Sequence, residues 1–404
     1  MARQRASFAL APLLCSGFTQ TVEEPQAQGN PRMRRTYWKL MGMLVTLAAL
    51  SGCRTVPVQV SPQAPELRFG GRVDRADPQG PRLSWGGTSL TVRFTGTSIG
   101  LRLLDLPKVE EHAPNRFRFS VDGAPFRDLY VGEGHMLYRL AEGLPQGEHV
   151  LRLEKETEPV VGETQLLGLE LDPGARVLPA PPGPARRIEF VGDSGLTGFG
   201  IEGKNELCSF NAETQRNSRT WASLTAQALG AEASIVAFSG KGVAVNYAND
   251  PTPPLPQLYA RTLPHREDSR WDFTSWVPDA VLIQLGSNDF WKEHPGEERF
   301  RDAYRSLVES IRGHYPSAHI VCVLGSSLSD NHPKEVKART HARAMISGVV
   351  ETLRQAGDAR VHFVEVPPRL EDEGFGCTWH PSRKTHQRVA EQMTRYLREL
   401  LGWK

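Results

Sequence analysis

Ser194 in Gly192-Asp193-Ser194, Gly240 in Ser239-Gly240-Lys241-Gly242, Asn288 in Gly286-Ser287-Asn288-Asp289 and His380 in Thr378-Trp379-His380-Pro381 are residue types that together can transfer an acyl group. A serine hydroxyl is a weak nucleophile at neutral pH and needs a base to accept its proton as it attacks. His380 suits that task, because imidazole titrates close to the working pH. The tetrahedral intermediate then carries an oxyanion, which preorganised donors must meet. The backbone N–H groups of Ser194 and Gly240 and the Asn288 side-chain amide are the three candidates. Glycine at 240 also lets the main chain approach a ligand with no Cβ in the way. A turn serine, or a histidine before Pro381 at a helix entrance, means little alone. All of them in this order form a specific pattern.

These groups need a scaffold that delivers them to one edge. Strand-like runs occur at Arg187–Val191, Ser234–Phe238, Ala280–Leu285, His319–Leu324 and Val361–Val366. Helical patterns fall at Thr220–Leu229, Glu297–His314, Glu335–Gln355 and Arg383–Leu401; in the last, Val389, Met393, Tyr396 and Leu397 share one face. Such alternation predicts an α/β domain over residues 186–404, a parallel sheet covered by helices on both faces. Ligands bind such sheets beyond the carboxyl ends of the strands. Gly192, Phe238 and Leu285 each lead into one of the loops named above, and the histidine loop follows the last strand. Residues 66–172 follow another pattern of short alternating segments, such as Ser89–Phe94, Phe117–Val121 before Asp122-Gly123, and His149–Leu153. That pattern predicts an all-β sandwich or jelly roll. A proline-rich linker at 173–185 separates the two, and 53–65 reads as a tether.

Composition narrows the function. The 404 residues are 39% hydrophobic and 23% charged, enough to bury a sizeable core. Forty-eight basic against 46 acidic residues leave a net charge of +2, which gives no reason to expect a nucleic-acid partner. Five scattered cysteines suit neither a disulfide scaffold nor a zinc ribbon. There is no HExxH, P-loop or GxGxxG opening a helix, and His265, His294, His314, His332 and His386 show no ligand spacing. No metal or other cofactor is expected, and the protein is expected to be a monomer.

The N-terminal residues 1–52 read as a leader. Arg34, Arg35 and Lys39 precede the apolar run Leu40–Leu50, too short to span a bilayer comfortably. The run ends in Leu50-Ser51-Gly52-Cys53, which resembles the lipobox of bacterial lipoproteins. That resemblance implies cleavage before Cys53 and a lipid on Cys53, the anchor being the sole membrane contact. Met33 would give a leader of ordinary length. Arg54, in place of the aspartate linked to inner-membrane retention, points to an exported protein of the outer membrane, facing the periplasm or the outside.

The loops beyond the strands resemble those of the SGNH (GDSL) hydrolases. More closely, Ser194–Gly203, Cys208-Ser209-Phe210, Ser239–Gly242, Leu285–Phe290 and Trp379-His380-Pro381-Ser382 resemble carbohydrate esterase family 2. That family joins an N-terminal jelly roll to a flavodoxin-like SGNH domain. The resemblance implies removal of O-acetyl groups from polysaccharides such as xylan or glucomannan, with Ser194 as nucleophile and His380 as base. One position departs from the wider pattern: many SGNH hydrolases carry an aspartate three residues before the histidine, where Cys377 stands here. Asp372, Glu373 or a backbone carbonyl is left to hold the imidazole. The rival readings are another SGNH activity (lipase, arylesterase or thioesterase) and a non-catalytic carbohydrate-binding lipoprotein.

Aromatic faces suit sugar rings, and Trp379 and Trp291, beside the histidine and asparagine loops, are the expected substrate contacts; Trp271 and Trp276 read as core. Cys208 and Cys377 flank the site, and a disulfide between them would pin the histidine loop to the nucleophile side. Cys322, inside an apolar strand, is expected as a buried free thiol, while Asp193 and Asp289 are expected to brace their loops.

Overall fold

The computed structural model describes residues 56–108, 114–132 and 136–404. The leader and Cys53 lie outside the described residues.

Hydrophobic alternation over Leu90, Val92 and Phe94, Leu151 and Leu153, and Leu101 and Leu103 turns one face of each strand inward. The result is two antiparallel sheets with a shared apolar core. One runs in the order Val73–Asp74, Arg82–Leu83, Gly162–Leu171, Ile99–Pro107, Leu137–Ala141. The other runs Val177–Leu178, Ser89–Gly96, Gly147–Lys155, Asn115–Val121, Arg127–Val131. Two short strands lie where a tether and a linker were expected. Val58–Val60 pairs antiparallel with Leu169–Leu171, and Val177–Leu178 with Arg93–Phe94. Their valines pack on the sandwich core, so each stretch gains apolar burial as well as ladder hydrogen bonds.

Beyond residue 185 the strands carry apolar residues on both faces, as burial on both faces requires, with polar positions such as Glu189 and Ser234 among them. Five parallel strands run in the order Ala231–Ala237, Arg186–Gly192, Ala280–Gln284, His319–Leu324, Val361–Glu365. In chain order this is 2-1-3-4-5, so the topological switch lies beside Arg186–Gly192, the strand that leads into Ser194. Val191, Val281, Ile283, Ile320 and Cys322 face helices Glu297–His314 and Ala338–Gln355. Ile188, Phe190, Leu282, Val321 and Val323 face Trp221–Leu229 and Arg383–Leu401. The helix expected from Glu335 begins at Ala338, because Lys337 takes a left-handed conformation (φ 46°). Cys322 is a buried free thiol.

The sandwich meets this sheet through polar groups. Arg72 donates to the Glu189 carboxylate at 3.1 Å, and Tyr259 Oη donates to the same carboxylate at 2.6 Å, all of them buried. Trp85 Nε1 donates to Thr262 O at 2.8 Å, and Ser218 donates through N and Oγ to Glu156 at 2.8 and 2.6 Å. Buried charges are tolerated where such partners satisfy them.

Candidate active site

The strand Arg186–Gly192 ends in a sharp turn that opens the short helix Ser194–Thr197. Asp193 caps it, its carboxylate accepting from Gly195 N at 2.9 Å. The same carboxylate accepts from Ser287 Oγ at 2.6 Å and from Asn288 Nδ2 at 3.3 Å, tying the Ser194 turn to the asparagine loop. Burial raises the Asp193 carboxyl to about 6, against the pull of the Ser287 hydroxyl. Asp193 therefore braces, as expected. Ser194 is half-buried and remains accessible.

Gly240 sits at φ +80°, a conformation that favours glycine, and the one atom near an added Cβ is Tyr247 Cβ at 3.9 Å. Asp289 was expected to brace the loop around Asn288. It accepts instead from Val243 N, Ala244 N and Val245 N, at 2.9, 2.7 and 2.8 Å, so it holds the segment after Gly240. A short run of N–H groups converging on one carboxylate explains the difference; burial raises that carboxyl against them. Asn288 Nδ2 donates to Lys241 O at 2.9 Å as well as to Asp193. Both amide hydrogens thus have partners here, and the 3.3 Å bond is the one an oxyanion would have to replace. Among the described residues the N–H groups of Ser194 and Gly240 make no hydrogen bond.

His380 follows a turn in which Thr378 and Trp379 hold φ values of 48° and 65°. Positive φ is unusual for both residues, most of all for the β-branched threonine. The turn aims two carbonyls at the imidazole: Nδ1 lies 3.0 Å from Thr378 O and 3.2 Å from Cys377 O, with Thr378 Oγ1 at 3.1 Å. The position vacated by the usual aspartate is thus served by the backbone. Glu373 is occupied elsewhere, accepting from Leu370 N at 2.9 Å, from Thr385 Oγ1 at 2.9 Å and from Arg388. An Nδ1–H donated to these carbonyls leaves Nε2 as the basic nitrogen. Burial lowers the imidazole pKa to about 4, the carbonyls opposing it, so the ring is neutral at pH 7.

The histidine loop is clasped to the chain just after Ser194. Cys208 and Cys377 form a disulfide. Cys377 N donates to Gly200 O at 2.9 Å, and the Phe199 ring lies 4.4 Å from the His380 ring. Gly203 cannot carry a side chain, since a Cβ would fall 2.4 Å from Cys377 Sγ. Ser194 and His380 are thereby brought to adjoining loops without a direct hydrogen bond. Such bonds often tighten only when substrate arrives.

Trp379 is 65% exposed beside His380 and meets Phe375 edge-on at 5.0 Å. Trp291 is half-buried, its ring 5.2 Å from Tyr247. Tyr247 was missed by sequence reasoning. It is 55% exposed, its N–H donates to Gly240 O at 2.8 Å, and its Cβ lies 3.9 Å from where a Cβ on Gly240 would stand. Its place in a Tyr-Ala-Asn-Asp stretch outside any periodic element was the available clue.

The sheet order, the serine at the switch point and the histidine on the last loop define a GDSL-type hydrolase domain behind a β-sandwich. Residues 190–388 match the GDSL-like Lipase/Acylhydrolase family, and residues 69–181 match the Carbohydrate esterase 2 N-terminal family. The chain belongs to carbohydrate esterase family 2. It is 35% identical over 339 residues to the Cellulase/esterase CelE of Acetivibrio thermocellus, spanning 84% of this chain and 40% of that protein. It is 29% identical over 381 residues to an Acetylxylan esterase / glucomannan deacetylase of Cellvibrio japonicus, covering 90% and 97%. The structure of a family two carbohydrate esterase from Clostridium thermocellum, in complex with cellohexaose, superposes with a TM-score of 0.77 at 35% identity, over 84% of this chain and 100% of that one.

Proposed function

We propose that the protein is a carbohydrate O-acetyl esterase acting on acetylated polysaccharides of the xylan or glucomannan type. Ser194 attacks the acetyl carbonyl as His380 Nε2 takes its proton, and the bond from acetyl carbon to sugar oxygen breaks as His380 returns that proton to the sugar. Water, deprotonated by the same histidine, then releases acetate and frees Ser194. The N–H groups of Ser194 and Gly240 and the Asn288 amide are assigned to the oxyanion. Exposed Trp379 and the Tyr247–Trp291 pair are assigned to the sugar ring. The observation that carries this reading is the orientation of His380 by the Thr378 and Cys377 carbonyls, on the loop clasped beside Ser194. Relatives named as acetylxylan esterase / glucomannan deacetylase support the substrate class.

We also infer export with a lipid on Cys53, on the strength of the Leu50-Ser51-Gly52-Cys53 sequence. Hydrolysis of 4-nitrophenyl acetate by the purified protein, Ser194→Ala and His380→Ala, with a long-chain ester beside it, tests the chemistry. Acetate turnover lost in both variants, with little long-ester activity, is the expected result; a wild-type rate equal to that of Ser194→Ala refutes it.

A further inference from the structure

The carboxylate that grips the oxyanion turn comes from the other half of the chain. Glu158 lies between the sandwich strands Gly147–Lys155 and Gly162–Leu171 and is fully buried. Its Oε2 accepts from Ser239 N at 2.7 Å, and its Oε1 accepts from Ser239 Oγ at 2.5 Å and from Gln215 Nε2 at 2.8 Å. Ser239 is the residue before Gly240. Its hydroxyl also lies 3.1 Å from Thr197 Oγ1, in the helix that begins with Ser194, and Gln215 Nε2 reaches Thr197 O at 3.3 Å. One glutamate thus joins the nucleophile helix to the oxyanion turn.

We propose that Glu158 is a positioning residue for the esterase reaction, through which the β-sandwich fixes the Gly240 N–H relative to Ser194; this rests on the esterase reading above. Gly240 has no side chain of its own to hold it, and its φ of +80° leaves many alternative backbone states nearby. Its neighbours are tethered instead. Tyr247 N donates to Gly240 O at 2.8 Å, and Asn288 Nδ2 donates to Lys241 O at 2.9 Å. The peptide bearing the Gly240 N–H follows Ser239, and there Glu158 supplies the hold. A carboxylate placed in a dry seam is costly unless donors satisfy it. Three donors converge on this one, two of them from the residue before the oxyanion glycine. Burial raises the Glu158 carboxyl, the Ser239 donors opposing it, and lowers the nearby Lys155 to about 7, with Asp105 and then Glu158 opposing; Lys155 Nζ donates to Thr157 O at 2.9 Å. Such an arrangement suits an oxyanion donor, which stabilises a transition state only if it is already aimed.

The test compares the full chain with Glu158→Gln, Glu158→Asp and Ser239→Ala. Steady-state kinetics on 4-nitrophenyl acetate are normalised to sites titrated by covalent phosphonylation of Ser194. Phenylboronic acid, which forms a tetrahedral adduct on a serine, reports the oxyanion site independently of turnover. Glu158→Gln is expected to lower kcat per titrated site about 10- to 100-fold, part of what loss of one donor costs. KM should stay within about twofold, and boronate affinity should weaken in parallel with kcat. Glu158→Asp recovers part of the loss, and Ser239→Ala, which keeps the N–H bond, loses about 3- to 10-fold. A folded Glu158→Gln with wild-type kcat per site, or a loss unaccompanied by weaker boronate binding, overturns the proposal. If Glu158→Gln does not fold, wild-type kcat in Ser239→Ala overturns it equally. Failure of the esterase reading is seen separately, as wild-type and Ser194→Ala rates that coincide.

Discussion

Removing the Cys208–Cys377 disulfide should damage catalysis more than binding. The bond closes a loop between positions 169 residues apart. By loop-closure entropy this is worth at most about 5 kcal/mol, and measured losses of native disulfides run about 2–5 kcal/mol. The loop it holds has a reason to relax: Thr378 and Trp379 sit at φ 48° and 65°, and each such residue stores about 1–3 kcal/mol. The remaining restraints are few, chiefly Cys377 N to Gly200 O and Gly376 N to His380 O, both 2.9 Å. If about 1.4–2.8 kcal/mol of the cross-link's contribution falls on the competent loop conformation, its population drops about 10- to 100-fold. The variant to make is Cys208→Ala with Cys377→Ala, so that no free thiol is left in the buried 377 position. Kinetics on 4-nitrophenyl acetate beside thermal unfolding separate the two effects. We expect kcat to fall by that factor, KM to stay within about twofold, and the melting temperature to drop several degrees. Treating the wild type with a phosphine reductant should reproduce the result. A double variant that melts earlier yet keeps wild-type kcat would show that the carbonyl–imidazole geometry survives alone, and would refute the reasoning.

Further outcomes follow from the same geometry. Because burial holds His380 down at about 4, the base stays neutral well below the usual imidazole range, and kcat/KM should fall only as pH drops through that value; an acid limb centred near 6.5 would contradict it. Trp379→Ala should raise KM on acetylated oligosaccharide roughly 3- to 10-fold while leaving kcat on 4-nitrophenyl acetate nearly unchanged, and equal effects on both substrates would argue against sugar stacking. Arg72→Ala leaves Glu189 in the seam with only Tyr259 Oη and Ser234 Oγ, and should cost about 3–5 kcal/mol in urea unfolding; a loss under about 1 kcal/mol would show that the pair is dispensable.

The hydrolase fold could be read from the chain because both faces of its sheet are covered, so strands such as Ala280–Gln284 are buried throughout, apolar up to Gln284, and stand out between amphipathic helices. The loops beyond them carried Ser194, Gly240, Asn288 and His380 in plain view, since chemistry at strand ends is local. What escaped was non-local or made of backbone. Nothing about Glu158 in Lys155-Glu156-Thr157-Glu158 announces a partner 81 residues away at Ser239. The role of Asp289 shifted for a similar reason, because three N–H groups cluster only once the segment after Gly240 has curled. The imidazole's acceptor stayed open between Asp372, Glu373 and a carbonyl, because only the positive-φ turn decides it.

A carbonyl has no codon. With the imidazole oriented by Thr378 O and Cys377 O, no single side-chain replacement can delete the acceptor, whereas one base change removes an aspartate. Variation across this loop is therefore filtered by conformation more than by chemistry. Glycine or asparagine at 378 should be accepted readily, since both tolerate positive φ, while proline, locked near −65°, should not. The orientation of this imidazole is thus written into the path of the chain, and a search that required an aspartate three residues before the histidine would pass over this sequence, which has Cys377 there.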